Sequence, residues 1–129
     1  MNTELLLKVK EQILKESRQF DMHSWFTTHS PTNEPIPNCG TAACIGGWAI
    51  ALSANLKLSE ADSKFQELPR PRTLLELNYD QGHRLFFTSD WPSKMAKDYE
   101  IAYDTSNFAI AAKIAAERID LFIATKGEQ

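Results

Sequence analysis

Read as a run of apolar and polar positions, the chain is organised around Asn38–Leu52, NCGTAACIGGWAIAL. From Ala42 to Leu52 there is no charged, amide or hydroxyl side chain. Apolar residues recur at Cys44, Gly47, Trp48, Ala51 and Leu52, a helical spacing, yet Ala43, Ile45, Ala49 and Ile50 fill the opposite side. A helix that is apolar all round belongs inside a domain. At about 1.5 Å per residue it spans roughly 16 Å, half of what a bilayer's hydrocarbon requires, so a core helix is predicted rather than a membrane span. Thr41 is predicted as its N-cap, which puts the helix at about 41–55. Gly46 and Gly47 each cost about 1 kcal/mol against Ala in a helix interior, so they predict close packing by a neighbouring backbone or a Trp ring.

The other elements follow from the same periodicity. Leu6, Val9, Ile13 and Phe20 form one stripe and predict an amphipathic helix over Thr3–Phe20. Residues 21–26, DMHSWF, continue it towards the core. Pro31, Pro35 and Pro37 make Thr27–Gly40 a loop. Beyond the central helix, Ser59 with Asp62 suggests a capped short helix to about Leu68, and Thr73 suggests another through Leu77. A turn or two follows over Asp80–Phe87, with Leu85 and Phe86 inward. Trp91-Pro92 opens a helix carrying Met95, Tyr99 and Tyr103, and Asp104 or Thr105 caps a final one to Thr125 that ends at Gly127. No stretch alternates with a period of two. The expectation is an all-α protein, one compact domain spanning 1–129, with five or six helices around a buried central one.

Composition narrows the class. The 129 residues are 43% hydrophobic and 24% charged, as expected of a globular chain. Fourteen Lys+Arg against seventeen Asp+Glu leave a net charge of −3, which lacks the field that grips phosphates. Lys64, Arg70, Arg72 and Arg84, on short helices that mimic a helix-turn-helix, are the residues a nucleic-acid site would use. No signal peptide or lipidation motif is apparent, so a cytoplasmic setting with reduced cysteines and no membrane partner is expected.

The segments NCGTAACIGGWA and LLELNYDQGHRLFFTSDWP, followed by an Ala-rich final helix, resemble a family of small uncharacterised bacterial and phage proteins. Its members share a CGT-x-x-C-I-x-G-[WH]-A core with LF and WP downstream. The likeness covers about residues 22–123 and is most specific at Cys39–Ala49 and Leu85–Pro92. It implies a small all-helical fold and brings no activity or cofactor. Where this chain has Trp48 the family often has His, which implies that no histidine-based metal site is shared at that position.

Candidate chemistry is sparse. Cys44, near the start of the central helix, and Cys39 just ahead of it sit where helix N–H groups favour a thiolate. A catalytic thiol would take its base from His23, His29 or His83, oriented by Asp80 or Asp90. The bland alternative is that Cys44 is a small buried hydrophobe. A Cys39–Cys44 disulfide would require the chain to fold back before the cap. His23, His29, Cys39 and Cys44 are the four residues a metal would use, without the close pairs that preorganise zinc sites. Trp25, Trp48 and Trp91 are expected in the core; an exposed Trp25 or Trp91 would mark a surface for another protein. The chain therefore reads as a small non-enzymatic interaction or accessory protein needing no cofactor, with a thiol-dependent enzyme using Cys44 or Cys39 as the alternative. Thr41, Gly46, Gly47 and Trp48 are assigned structural roles.

Overall fold

A computed structural model describes residues 1–32 and 34–129; Asn33, in the predicted loop, lies outside the described residues. The fold is all-helical apart from one minimal strand pair. The helices are α1 (Thr3–Lys15), α2 (Ile45–Ala54), α3 (Leu58–Ser63), α4 (Pro71–Leu74), α5 (Tyr79–Phe86), α6 (Ser93–Asp104) and α7 (Phe108–Ala124). The strands are β1 (Phe26–Thr27) and β2 (Ala42–Ala43). Among the described residues there are seven helices, the shortest being the single turn of α4, and they surround the buried α2 as expected.

The apolar segment does lie inside. Ile45, Ala49, Ile50 and Ala51 of α2 are almost wholly inaccessible, packed with Leu6, Val9 and Ile13 of α1 and with Leu58 and Leu75 in one core. Its boundary, however, is corrected. The helix starts at Ile45, its N-cap is Cys44 without a side-chain capping bond, and Thr41 is a buried residue ahead of it. Ala42 and Ala43 are extended because they pair antiparallel with Thr27 and Phe26, while Ala43 also bridges to Phe20. Tertiary pairing thus overrides the helix propensity of an alanine run.

Other ends move for local reasons. α1 stops at Lys15, short of Phe20, and a 3-10 turn at Ser17–Gln19 carries the chain round. There Trp48 Nε1 donates to the Gln19 carbonyl at 2.9 Å, tying α2 to that turn. α3 begins after Lys57, whose N–H donates to the Glu60 carboxylate, so Glu60 takes the role assigned to Asp62. α4 is opened by Pro71 at its first turn rather than capped by Thr73. Asn78 and Gln81 close a reciprocal capping box at the start of α5. α6 runs through Asp104, and Asn107, not Asp104 or Thr105, caps α7 by accepting from the Ile110 N–H. α7 packs along α1 and α6, and Lys10 joins Asp120 across the α1–α7 seam at 2.9 Å. Among the described residues no helix is long and apolar enough to cross a membrane.

Candidate functional site

The strand pair and a neighbouring backbone bond bracket Trp25. Ser24 accepts the Cys44 N–H, and Phe26 pairs with Ala43, so backbone bonds grip the chain on both sides of Trp25. Trp25 then lies across the double glycine of α2. A Cβ on Gly46 would overlap the indole ring, and one on Gly47 would overlap the Trp25 carbonyl oxygen and stand 2.8 Å from the Ala43 Cβ. Phe86 and Phe87 meet the indole edge to face, with ring centroids 5.5 and 6.4 Å away. So held, Trp25 still exposes 36% of its surface, whereas Trp48 and Trp91 are core residues.

Around Trp25 further aromatic side chains reach the surface. Tyr79 is 64% exposed and Phe87 43%, and the His83 ring lies between them with centroids 4.5 and 4.8 Å away. A notch of about 210 Å³ opens here, walled by Trp25, Phe86 and Phe87 and flanked by Arg70 and Arg72 on either side of Pro71. Gly82 forms part of its floor, with the Arg72 stem packed over the position a Cβ would take. The Arg70 guanidinium stands 4.7 Å from the Phe65 ring centroid and that of Arg72 stands 6.0 Å from Tyr79. Beyond Tyr79 and His83 the notch runs into an open depression of about 720 Å³ bordered by Asp80, Asp90 and Arg84. His83 Nδ1 faces Asp90 at 3.7 Å, and the Arg84 guanidinium donates to the Gly127 carbonyl. Lys64 is exposed and does not border the notch.

The two thiols have opposite environments. Cys44 is sealed in the core, and burial pushes it up to about 11 against the opposing N–H groups of Gly47 and Gly46, which corrects the expectation of a depressed value there. Cys39 is partly exposed; burial works to raise it, but hydrogen bonds from the backbone and side chains of Ser59 and Thr41 hold it below the ordinary thiol value. Gln19 Nε2 also approaches its sulfur, at 3.7 Å. Both cysteines are free thiols, and no histidine is among the hydrogen-bond partners of either in the described residues.

The proposed metal set is not assembled: among the described residues no three His, Cys, Asp or Glu side chains are placed to hold an ion. His29 is exposed in the loop, where its N–H donates to Thr27 Oγ1. His23 is taken up by carboxylates instead. Its Nδ1 meets Asp21 at 2.9 Å and its Nε2 meets Glu100 of α6 at 3.1 Å, while its ring lies 4.0 Å from that of Tyr103. Burial disfavours the cation, but the bonds and charges of Asp21 and Glu100 outweigh it and raise the His23 pKa. Tyr103 donates to the other Asp21 oxygen at 3.3 Å, and Tyr99 accepts from the Met22 N–H. Burial, with the charge of Asp21, pushes the Tyr103 phenol up to about 12.

Sequence reasoning passed over Asp21, Glu100 and Arg118. Asp21 and Glu100 are 79 residues apart, so nothing local could join them. Arg118 did leave a signal, because it falls seven residues after Ala111 and four before Phe122 on the inward stripe of α7. It is wholly buried; Nη2 donates to the Arg84 carbonyl at 2.9 Å, and Nε and Nη1 have no hydrogen-bond partner among the described residues.

Fold and surface together define a small helical protein with a strand-pinned aromatic notch. No protein-family model, curated protein or solved structure matches the chain.

Proposed function

We propose that this is a non-enzymatic interaction module that docks a partner protein through the Trp25 notch, acting in the cytoplasm where both thiols stay reduced. The observation that supports this is the seating of Trp25. Two glycines and a strand pair hold a large aromatic side chain in one position while leaving a third of it open to solvent. A rigid exposed aromatic beside an apolar recess has the form of a binding hot spot, since little conformational entropy remains to be lost on association. Tyr79 and Phe87 extend the same surface, and exposed aromatic clusters of this kind mark contact sites. The rival, a thiol-dependent enzyme, draws on the lowered Cys39 pKa but lacks a histidine at that thiol.

The test is site-specific crosslinking in the host cell, with a benzophenone amino acid at position 87 and, as control, at the exposed position 110 of α7. The expected result is a discrete protein adduct from position 87 alone, whose purified partner loses about tenfold or more in affinity for Phe87→Ala. Equal adducts from both positions, or none from 87, would remove the docking role. A substrate that acylates Cys39 would replace it with the rival.

A further inference from the structure

We infer that the occupant of the notch is a peptide segment with an aliphatic or aromatic anchor, a carboxylate on one side of it and a cation on the other; this rests on the docking role proposed above. The charges bordering the track have a direction. At one end stand Arg70 and Arg72, both exposed, and their guanidinium groups make no hydrogen bond or ion pair among the described residues. At the other stand Asp80 and Asp90, across Tyr79 and His83. That end sets the carboxylates of Asp80, Asp90 and Glu128 against the single Arg84 guanidinium, which also donates to the Gly127 carbonyl, so its balance of charge is negative.

The two arginines are also held ready. Arg70 lies against Phe65, and the stem of Arg72 packs over Gly82 with its head near Tyr79. A guanidinium placed over a ring keeps its in-plane N–H groups free, and those groups match a carboxylate bidentately. Between the charged ends, the recess of about 210 Å³ takes one large side chain, not a succession of bases. A single-stranded nucleic acid would gain stacking on Trp25 and Tyr79, but its next phosphates would meet Asp80 and Asp90. Complementarity of both ends therefore favours the peptide, and it sets the orientation in which the peptide lies.

The test is selection of phage-displayed random dodecapeptides on the full chain, followed by affinities of the selected peptides for variants whose fold is verified by circular dichroism. The expected consensus is an apolar anchor with Asp or Glu on one side and Lys or Arg on the other. Arg70→Gln/Arg72→Gln should weaken these peptides by about tenfold or more, as loss of charge-assisted bonds does. Arg70→Glu/Arg72→Glu should turn selection towards a cation at the acidic position, and Asp80→Asn/Asp90→Asn should erase the preference at the other end. Anchored peptides without charge bias, lost on Phe87→Ala, would overturn this inference and leave the docking role standing. Absence of any peptide that distinguishes the wild type from Phe87→Ala would overturn both. So would oligothymidylate that binds more tightly than every selected peptide and is weakened by Arg70→Gln/Arg72→Gln.

Discussion

Trp25 and Gly46 are complementary in shape: the indole lies where a Cβ on Gly46 would stand, with Pro71 Cγ 3.3 Å from the same point. At Gly47 the obstacle is the Trp25 carbonyl, fixed by the strand pair. A ring can rotate aside; a paired backbone cannot.

The two glycines therefore predict different outcomes. Alanine gains about 1 kcal/mol over Gly in a helix interior, whereas overpacking costs about 1–3 kcal/mol. Gly47→Ala should lose net stability, by about 1–2 kcal/mol in urea unfolding, because the carbonyl has no free direction to move. Gly46→Ala should instead expel the indole from its seat, seen as a red shift and increased quenching of tryptophan emission, with a smaller stability change. A Gly47→Ala variant as stable as the wild type would show that Trp25 is not pinned.

Arg118 offers a test of the core. A buried cation with two nitrogens lacking a partner among the described residues is disfavoured, and burial, with Arg84 nearby, lowers its pKa to about 10. Replacing buried charge with an apolar side chain of similar volume is often neutral or stabilising, while the orphaned Arg84 carbonyl costs about 1 kcal/mol. Arg118→Met should accordingly melt at or above the wild-type temperature. A fall of more than about 5 °C would mean that the guanidinium has a role in holding α7 to α5 beyond its one bond.

What could be read in advance divides along sequence separation. The all-round apolar pattern located α2, and the two glycines demanded a close neighbour, because both signals lie within one short continuous segment. That the neighbour is Trp25 depends on a strand pair two residues long, too short to show any alternation and made on one side only of alanine. The same pairing moved the helix start from Thr41 to Ile45. For α7, Asn107 caps where Asp104 or Thr105 was expected, because α6 continues through Asp104 and Ser106 takes a left-handed φ of 56° between the helices. The notch brings together residues 25, 70–72 and 79–87, which only the packing of α2 against α4 and α5 unites.

The thiols separate by accessibility and ionisation. Cys39 is partly exposed with a lowered pKa, and the thiolate is the reactive species, so alkylation by iodoacetamide at neutral pH should proceed at Cys39 in the folded protein. Cys44 is buried with its pKa at about 11, and should label only at the rate of unfolding. Mass spectrometry of a labelling time course reads both. Rapid modification of Cys44 in native buffer would mean that the N-terminal end of α2 opens, against the packing described above.

His23 sets a pH dependence whose sign follows from its partners. Both ring nitrogens face carboxylates, an arrangement that needs two N–H donors and hence the imidazolium. The folded pKa is raised above 6.5, so the unfolded chain releases this proton first as pH climbs. The contribution is fully present below pH 6.5 and disappears as pH rises through the folded value. His23→Gln should remove it, so the stability difference between wild type and variant should shrink steadily above pH 6.5. The direct readout is the His23 ring-proton titration by NMR, expected to have its midpoint above 6.5. A midpoint at or below that value, or a difference that grows with pH, would mean that Asp21 and Glu100 do not hold the charged ring. Because His23 lies two residues before Trp25, the same titration should also be visible in the Trp25 indole N–H resonance if the clamp on α6 steadies the notch.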